Sequence, residues 1–204
     1  MRILFALPYV PSLIRVRPYN FIRELACKHE ITVLATDSSR GQADASRLQG
    51  HCRDVRVVPL RLHQALRSCA IKALRGEPLQ AAFCRSPQLE HTLAELLNAE
   101  RFDLVHIEHL RAAHLVALVP AAIPKVYDAV DCISLLLERT LASSHSWRQR
   151  LLAALELQRC RAYESLILNR FDQVAVTSPE DQRALSALAP QSRVAVIPNG
   201  VDLD

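Results

Sequence analysis

Four short stretches of this chain carry side chains able to hold an anion or move a proton. Arg15 and Arg17 stand just before Pro18 in the run PYVPSLIRVRPYN. Two guanidiniums beside a helix start suit a phosphate, because the helix end adds free N–H groups and partial positive charge, and planar forks bind oxyanions in pairs. The plainer reading is two solvated loop arginines. Further on, His106-Ile107-Glu108-His109 closes an apolar run. Alternation along a strand puts His106 and Glu108 on one face and leaves His109 at or past the strand end. A carboxylate or a neutral imidazole there can orient a hydroxyl or take its proton, an effect of about 10²–10⁴-fold. Glu108 and His109 are therefore rivals, while His106 reads more simply as core. Asp128 and Asp131 follow in YDAVDCIS. Asp131 suits a hydroxyl-binding role, since carboxylates accept hydrogen bonds, or else it caps a helix from Cys132 onward. Thr177 and Ser178 precede Pro179, where capping alone explains Ser178.

The same residues argue against a metal. His106, His109 and His114 fall short of the i, i+4 spacing of an H-E-x-x-H helix, and the six cysteines, Cys27, Cys52, Cys69, Cys84, Cys132 and Cys160, never form a C-x-x-C pair. They read as small core hydrophobes in a reducing cytosol.

The elements that must position these groups are legible from pattern. The chain has 204 residues, half of them hydrophobic, enough for one self-sufficient core. Its formal charge of +4 is spread without a run of like charges, and only 5% of it is aromatic, which excludes a nucleic-acid protein. The opening MRILFALP is too brief for a signal peptide, and no stretch nears the ~18–20 apolar residues of a membrane span. A soluble cytosolic chain is expected. Apolar, β-branched runs predict seven strands: Arg2–Leu7, Ile31–Thr36, Val55–Pro59, Leu104–Ile107, Lys125–Ala129, Val174–Thr177 and Val194–Ile197. Helical spacing joins them through Ile22, Leu25 and Ala26; through Leu89, Leu93, Leu96 and Leu97; and through Leu151, Leu152, Leu155, Ala162 and Leu166 in the longest helix. Pro18, Ser86-Pro87 and Ser178-Pro179 mark helix starts, with Asp181 placed for a capping return. Residues 37 to 54 read as a long loop. Arg148, Arg159 and Arg170 recur every eleven residues and align on one helix face, which suits a weak peripheral contact with anionic lipid or a solvated surface.

Alternating strands and helices imply an α/β, Rossmann-like doubly wound sheet, mostly parallel and of about seven strands, whose ligand sits at the carboxyl ends of the strands. The first such loop has neither G-x-G-x-x-G nor a P-loop, and the whole chain has four glycines, so NAD, FAD and Walker-type ATP sites are excluded.

PYVPSLIRVRPYNFIRELACKHEITVLAT, with its R-x-x-N-x-x-R-x-L helix, resembles the opening of the amino-terminal domain of glycosyltransferase family 4. FDLVHIEH, RFDQVAVTSPED and VAVIPNGVDLD resemble three later landmarks of that domain, in the same order. The resemblance implies one half of a two-domain GT-B enzyme, with residues 1–197 as the acceptor-binding domain and 198–204 as the start of an interdomain linker, hinged at Asn199 and Gly200. It implies a retaining, metal-independent transferase of bacterial glycan or glycolipid biosynthesis. That enzyme would need no cofactor and would use a nucleotide-sugar donor held mainly by a carboxy-terminal domain absent from these residues, with a glycan, polyol or lipid-linked acceptor. Tyr9, Arg15, Arg17, Asn20, Asp131 and Ser178 are then the candidate substrate contacts, and Glu108 or His109 the catalytic residue. Alternatives are a non-enzymatic binding or regulatory module and half of a nucleotide-sugar epimerase. One departure stands out: where many family members carry Gly-Gly in the first loop, this chain has Leu13-Ile14-Arg15, which suggests that arginine replaces backbone contacts.

Overall fold

The computed structural model describes residues 1–37, 46 and 48–200. Seven strands form: β1 (Arg2–Leu7), β2 (Glu30–Asp37), β3 (Asp54–Pro59), β4 (Leu104–Glu108), β5 (Lys125–Val130), β6 (Gln173–Val176) and β7 (Val194–Val196). Each agrees with the sequence expectation to within one residue at either end. All pair in parallel, in the order β3-β2-β1-β4-β5-β6-β7. Alternation along β1 shows why both faces are covered. Ile3, Phe5 and Leu7 pack with Ile22 of helix α1 (Val16–Ala26), whereas Leu4 and Ala6 pack with Leu89, Leu93 and Leu96 of α4 (Pro87–Ala99) on the other side. The strand order reverses between β1 and β4, so the crevice of a doubly wound sheet opens at their carboxyl ends.

Between β3 and α4 lie α2 (Leu62–Ala73) and α3 (Leu79–Phe83), neither of which periodicity reveals, since α2 fully buries only Ala65 and α3 is five residues long. Short α5 (His109–Ala112) and a 3₁₀ turn (Ala113–Leu118) follow β4. Helices α6 (Ile133–Ser143), α7 (Trp147–Leu168) and α8 (Pro179–Leu188) complete the chain.

Several local expectations are corrected. Helix α1 starts at Val16, with Arg15 at its cap and Pro18 inside the first turn. The ring is tolerated there because first-turn N–H groups have no helical partner to lose. Ser86 occupies the cap of α4 with Pro87 next, as expected, but its hydroxyl makes no capping bond. The expected loop over 37–54 is shorter: Asp37 and Asp54 are strand residues, Leu48 and Gln49 are helical, and Leu48 is fully buried in the α1-side core. The rest of that stretch, like the tail Val201–Asp204, falls outside the described residues. Cys84, Cys132 and Cys160 are buried, but Cys27 is exposed rather than core.

The long helix departs furthest. Leu151, Leu152, Leu155, Ala162 and Leu166 all face outward, while Ala153, Glu156, Cys160, Glu164, Ile167 and Leu168 face in. Apolar residues occur on every side of α7, so spacing cannot choose the inner face. Backbone donors choose it instead. Glu164 accepts hydrogen bonds from the Ile133 and Ser134 amides at 2.7 and 3.2 Å, which are free N–H groups in the first turn of α6. Glu156 accepts from the Leu79 amide at 2.6 Å and from Arg159 at 2.9 Å. Arg170 lies beyond the end of the helix, so the expected three-arginine stripe is two residues long. Among the described residues no helix is long and apolar enough to cross a membrane.

Replacing Glu164 with Ala strands two buried amides and should lower the unfolding free energy by on the order of 2–4 kcal/mol in urea titrations. The exposed Leu152→Ala on the same helix should stay within about 0.5 kcal/mol. Equal, small effects of both changes would refute this account of how α7 is held.

Candidate functional site

The loop after β1 is folded by one tie to the neighbouring strand and two local bonds. Thr36 donates its hydroxyl to the Pro8 carbonyl at 2.7 Å, pinning the loop to β2. Ser12 accepts from the Ile14 and Arg15 amides, each at 3.3 Å, which turns the chain into α1. Tyr9 is thereby set beside the end of β4, where its hydroxyl donates to Glu108 Oε1 at 2.5 Å. The Arg15 guanidinium lies over the Tyr9 ring, 3.7 Å from its centre.

Glu108 is the last residue of β4 and is 1% exposed. Its second oxygen, Oε2, is buried without a hydrogen-bond partner. Burial pushes the carboxyl up to about 8; the Tyr9 hydroxyl, Arg17 and Arg15 oppose that rise and Asp128 adds to it. Burial first, then the neighbouring carboxylate, also raises the Tyr9 hydroxyl. The pair therefore holds its protons into the neutral range.

Arg17 faces the other way. It grips Asp128 with both edges of its fork, Nε to Oδ2 at 2.7 Å and Nη2 to Oδ1 at 3.1 Å. Its remaining nitrogen, Nη1, donates to the Ile197 carbonyl at 2.8 Å and to Asn199 Oδ1 at 3.0 Å. The expected pair of phosphate clamps thus divides: Arg15 is available at the helix cap, and Arg17 is engaged four times within the protein.

These groups surround a cavity of about 600 Å³ at the carboxyl ends of β1, β4 and β5. Tyr9, Arg15, Arg17, Asn20, Glu108, Asn199 and Gly200 are all in its walls, seven of the sequence candidates brought together. Three others stand apart. His109 is outside the walls; its ring, held down to about 4 by burial and then by Arg111 and Arg15, accepts the Arg111 amide at 3.3 Å. Asp131 is exposed and accepts from the Thr177 hydroxyl at 3.4 Å, while Cys132 takes the helix cap proposed for it. Ser178 caps α8, accepting the Asp181 amide at 3.1 Å and giving its hydroxyl proton to the Asp181 carboxylate. That carboxylate does not return to the capping backbone; it takes the Cys132 amide at 2.9 Å. His106 lies between Phe5 and Phe21, neutral and buried, as a core residue. Among the described residues no cluster of His, Cys, Asp or Glu is arranged to hold a metal ion.

Two features escape sequence reasoning. Val130, a cavity wall residue, has φ of 65°, a strained position for a β-branched side chain, and it sits at a β-bulge after Asp128. His109, at the turn after Glu108, has φ of 64°. Strain of this kind concentrates at functional sites. The other is Asp128, which pattern alone ranks below Asp131; its signal is the basic residue at 17, visible only once the sheet order is known.

Solved structures share this fold. Sucrose-phosphate synthase of Thermosynechococcus elongatus is 16% identical over 99% of this chain and 91% of that one, with a TM-score of 0.52. Arabidopsis thaliana UGT89C1, complexed with UDP, is 14% identical over 100% and 50%, with a TM-score of 0.55. Anabaena HepE, in complex with UDP and glucose, is 15% identical over 99% and 45%, with a TM-score of 0.54. The chain spans about half the length of the last two, and the likeness is one of fold, the seven-stranded half of the GT-B architecture. No curated protein matches the chain. The sequence of residues 14–200 matches the glycosyl transferase 4-like domain, and the chain belongs to that family.

Proposed function

We propose that this chain is the acceptor-binding half of a retaining, nucleotide-sugar-dependent glycosyltransferase of bacterial glycan or glycolipid assembly, acting in the cytoplasm. The observation that carries the reading is the cavity at the switch point of the sheet, in which a buried carboxyl with one unpaired oxygen meets an arginine at a helix cap. UDP in the UGT89C1 and HepE structures supports a UDP-sugar as donor. The donor itself would be held mainly by a second domain, joined through the segment at Pro198-Asn199-Gly200.

In this reading Glu108 receives the acceptor. Tyr9 fixes one carboxyl oxygen, which leaves Oε2 to face an acceptor hydroxyl, donating to it while the carboxyl is protonated and accepting from it once the carboxyl ionises. A group that exchanges its proton near neutrality is suited to accept the hydroxyl proton as the new glycosidic bond forms. Arg15, stacked on Tyr9, presents N–H donors beside the start of α1, where a phosphate on the acceptor gains from both. Asn20 supplies a further amide one turn along. Arg17 and Asp128 hold the walls in register.

Three outcomes follow. The 204-residue chain alone should produce no transfer product from UDP-sugars in a mass-spectrometric assay, because stabilisation of the leaving diphosphate would come from the second domain, at about 3–4 kcal/mol for each missing donor group; product from the chain alone would refute the division of labour. In the protein with both domains, Glu108→Gln should lower kcat by about 10²–10⁴-fold while His109→Ala leaves it nearly unchanged. The reverse ranking would move the chemistry to His109.

The third concerns pH. The folded carboxyl of Glu108 titrates near 8 against 4.5 unfolded, so between these values the folded state keeps a proton that the unfolded state has lost. Stability from this residue is full below about pH 4.5, declines through the window and levels above about 8. Glu108→Gln removes that decline, so its melting temperature relative to the parent should climb as pH rises from about 5 to about 8. A pH-independent difference would show that Glu108 is not buried as a neutral acid.

A further inference from the structure

Helix α2 has an outward face that nothing else in the described protein covers. Leu62, Leu66 and Leu74 are exposed on or just past it, Leu74 at 90%, and Ile71 is exposed at its side, in the wall of the neighbouring recess. The run from residue 61 to 75, RLHQALRSCAIKALR, holds Arg61, Arg67, Lys72 and Arg75 and no acidic residue. Arg61, Arg67 and Arg75 are exposed, and among the described residues none of them has an ion-pair partner. A solvated helix would carry polar residues where the leucines stand. Leucines interleaved with unpaired arginines match a surface that is apolar inside and anionic outside.

A recess next to α2 has matching chemistry. Between α2 and the start of α4 lies a cavity of about 490 Å³ whose walls include Arg67, Ser68, Lys72 and Arg85. Lys72 and Arg85 share one carboxylate, Glu77, at 3.2 and 2.9 Å, and Glu90 borders the recess as well. Arg67 adds charge there that no carboxylate offsets, which suits a phosphodiester oxyanion. The helix is also tied towards the cleft. The Cys69 thiol contacts the Leu79 carbonyl of α3 at 3.6 Å, and Ala81 of α3 packs with Leu110, two residues after Glu108.

We propose that the outward face of α2 docks onto an anionic lipid bilayer, its leucines entering the headgroup boundary and its arginines meeting lipid phosphates. This surface stands independently of the transferase reading, and either can fail without the other.

The test is co-sedimentation of the chain with vesicles of phosphatidylcholine alone and of an equal mixture of phosphatidylcholine and phosphatidylglycerol. Binding should appear with the mixture only and weaken as salt rises. Arg67→Gln with Arg75→Gln should reduce it about 25-fold, about fivefold for each charge. Leu66→Ser with Leu74→Ser should abolish it. All four positions are exposed, so circular dichroism melts should match the parent. Leu151→Ser with Leu155→Ser, exposed leucines of α7, should leave binding intact. Four results would overturn the proposal: no binding, equal binding to both vesicles, loss through the α7 pair rather than the α2 pairs, or displacement by inorganic phosphate alone. Leucine-dependent self-association in sedimentation, without vesicle binding, would assign the face to a second copy instead.

Discussion

The bidentate pair of Arg17 with Asp128 is the interaction on which the carboxyl edge of the sheet depends. Both side chains are almost wholly out of water, so their attraction is offset by desolvation, and the pair contributes geometry more than net stability. Its partners explain its value. One arginine in the first turn of α1 binds the end of β5 and the backbone leaving β7, elements 111 and 180 residues away in sequence. Three walls of the cavity are thereby set by one planar group. A lysine could not replace it, since an ammonium has no fork to span two carboxylate oxygens.

Around that fixed frame the two arginines of the first loop take separate work, one internal and one facing the cavity. The Tyr9 and Glu108 pair shows the same economy of means. A carboxyl buried at the end of a central strand keeps its proton, and a phenol that donates to one of its oxygens holds it in place. The other oxygen carries the carboxyl's proton in the neutral range and becomes an acceptor once that proton leaves, in a low-dielectric wall where hydrogen bonds are strong. Asp128, a second carboxylate nearby, works against ionisation of the first.

The sheet is readable because parallel strands appear as short apolar, β-branched runs, near-continuous in β1 (RILFAL) and β2 (EITVLATD) and broken by Arg56 in the edge strand β3. The crevice followed from topology, and most of its walls from residues just after those runs. What escaped reading depended on contacts distant in sequence. Pattern ranks Asp131 above Asp128 because only the folded chain brings Arg17 to β5. Pro18 does not mark the first helical residue because proline is acceptable anywhere in a first turn. Spacing does not give the inner side of α7, because leucines on every side of a helix carry no directional information, whereas three amide groups elsewhere in the fold do.

That last feature alters how substitutions along the long helix are to be weighed. On α7 the groups that anchor are acids and several that face solvent are aliphatic, so a hydropathy profile reads this segment inside out. Scores that reward grease and penalise charge carry the wrong sign there: an outer leucine can become arginine with little disturbance, while exchanging Glu164 for leucine would leave a neighbouring helix without the acceptor that caps its first turn.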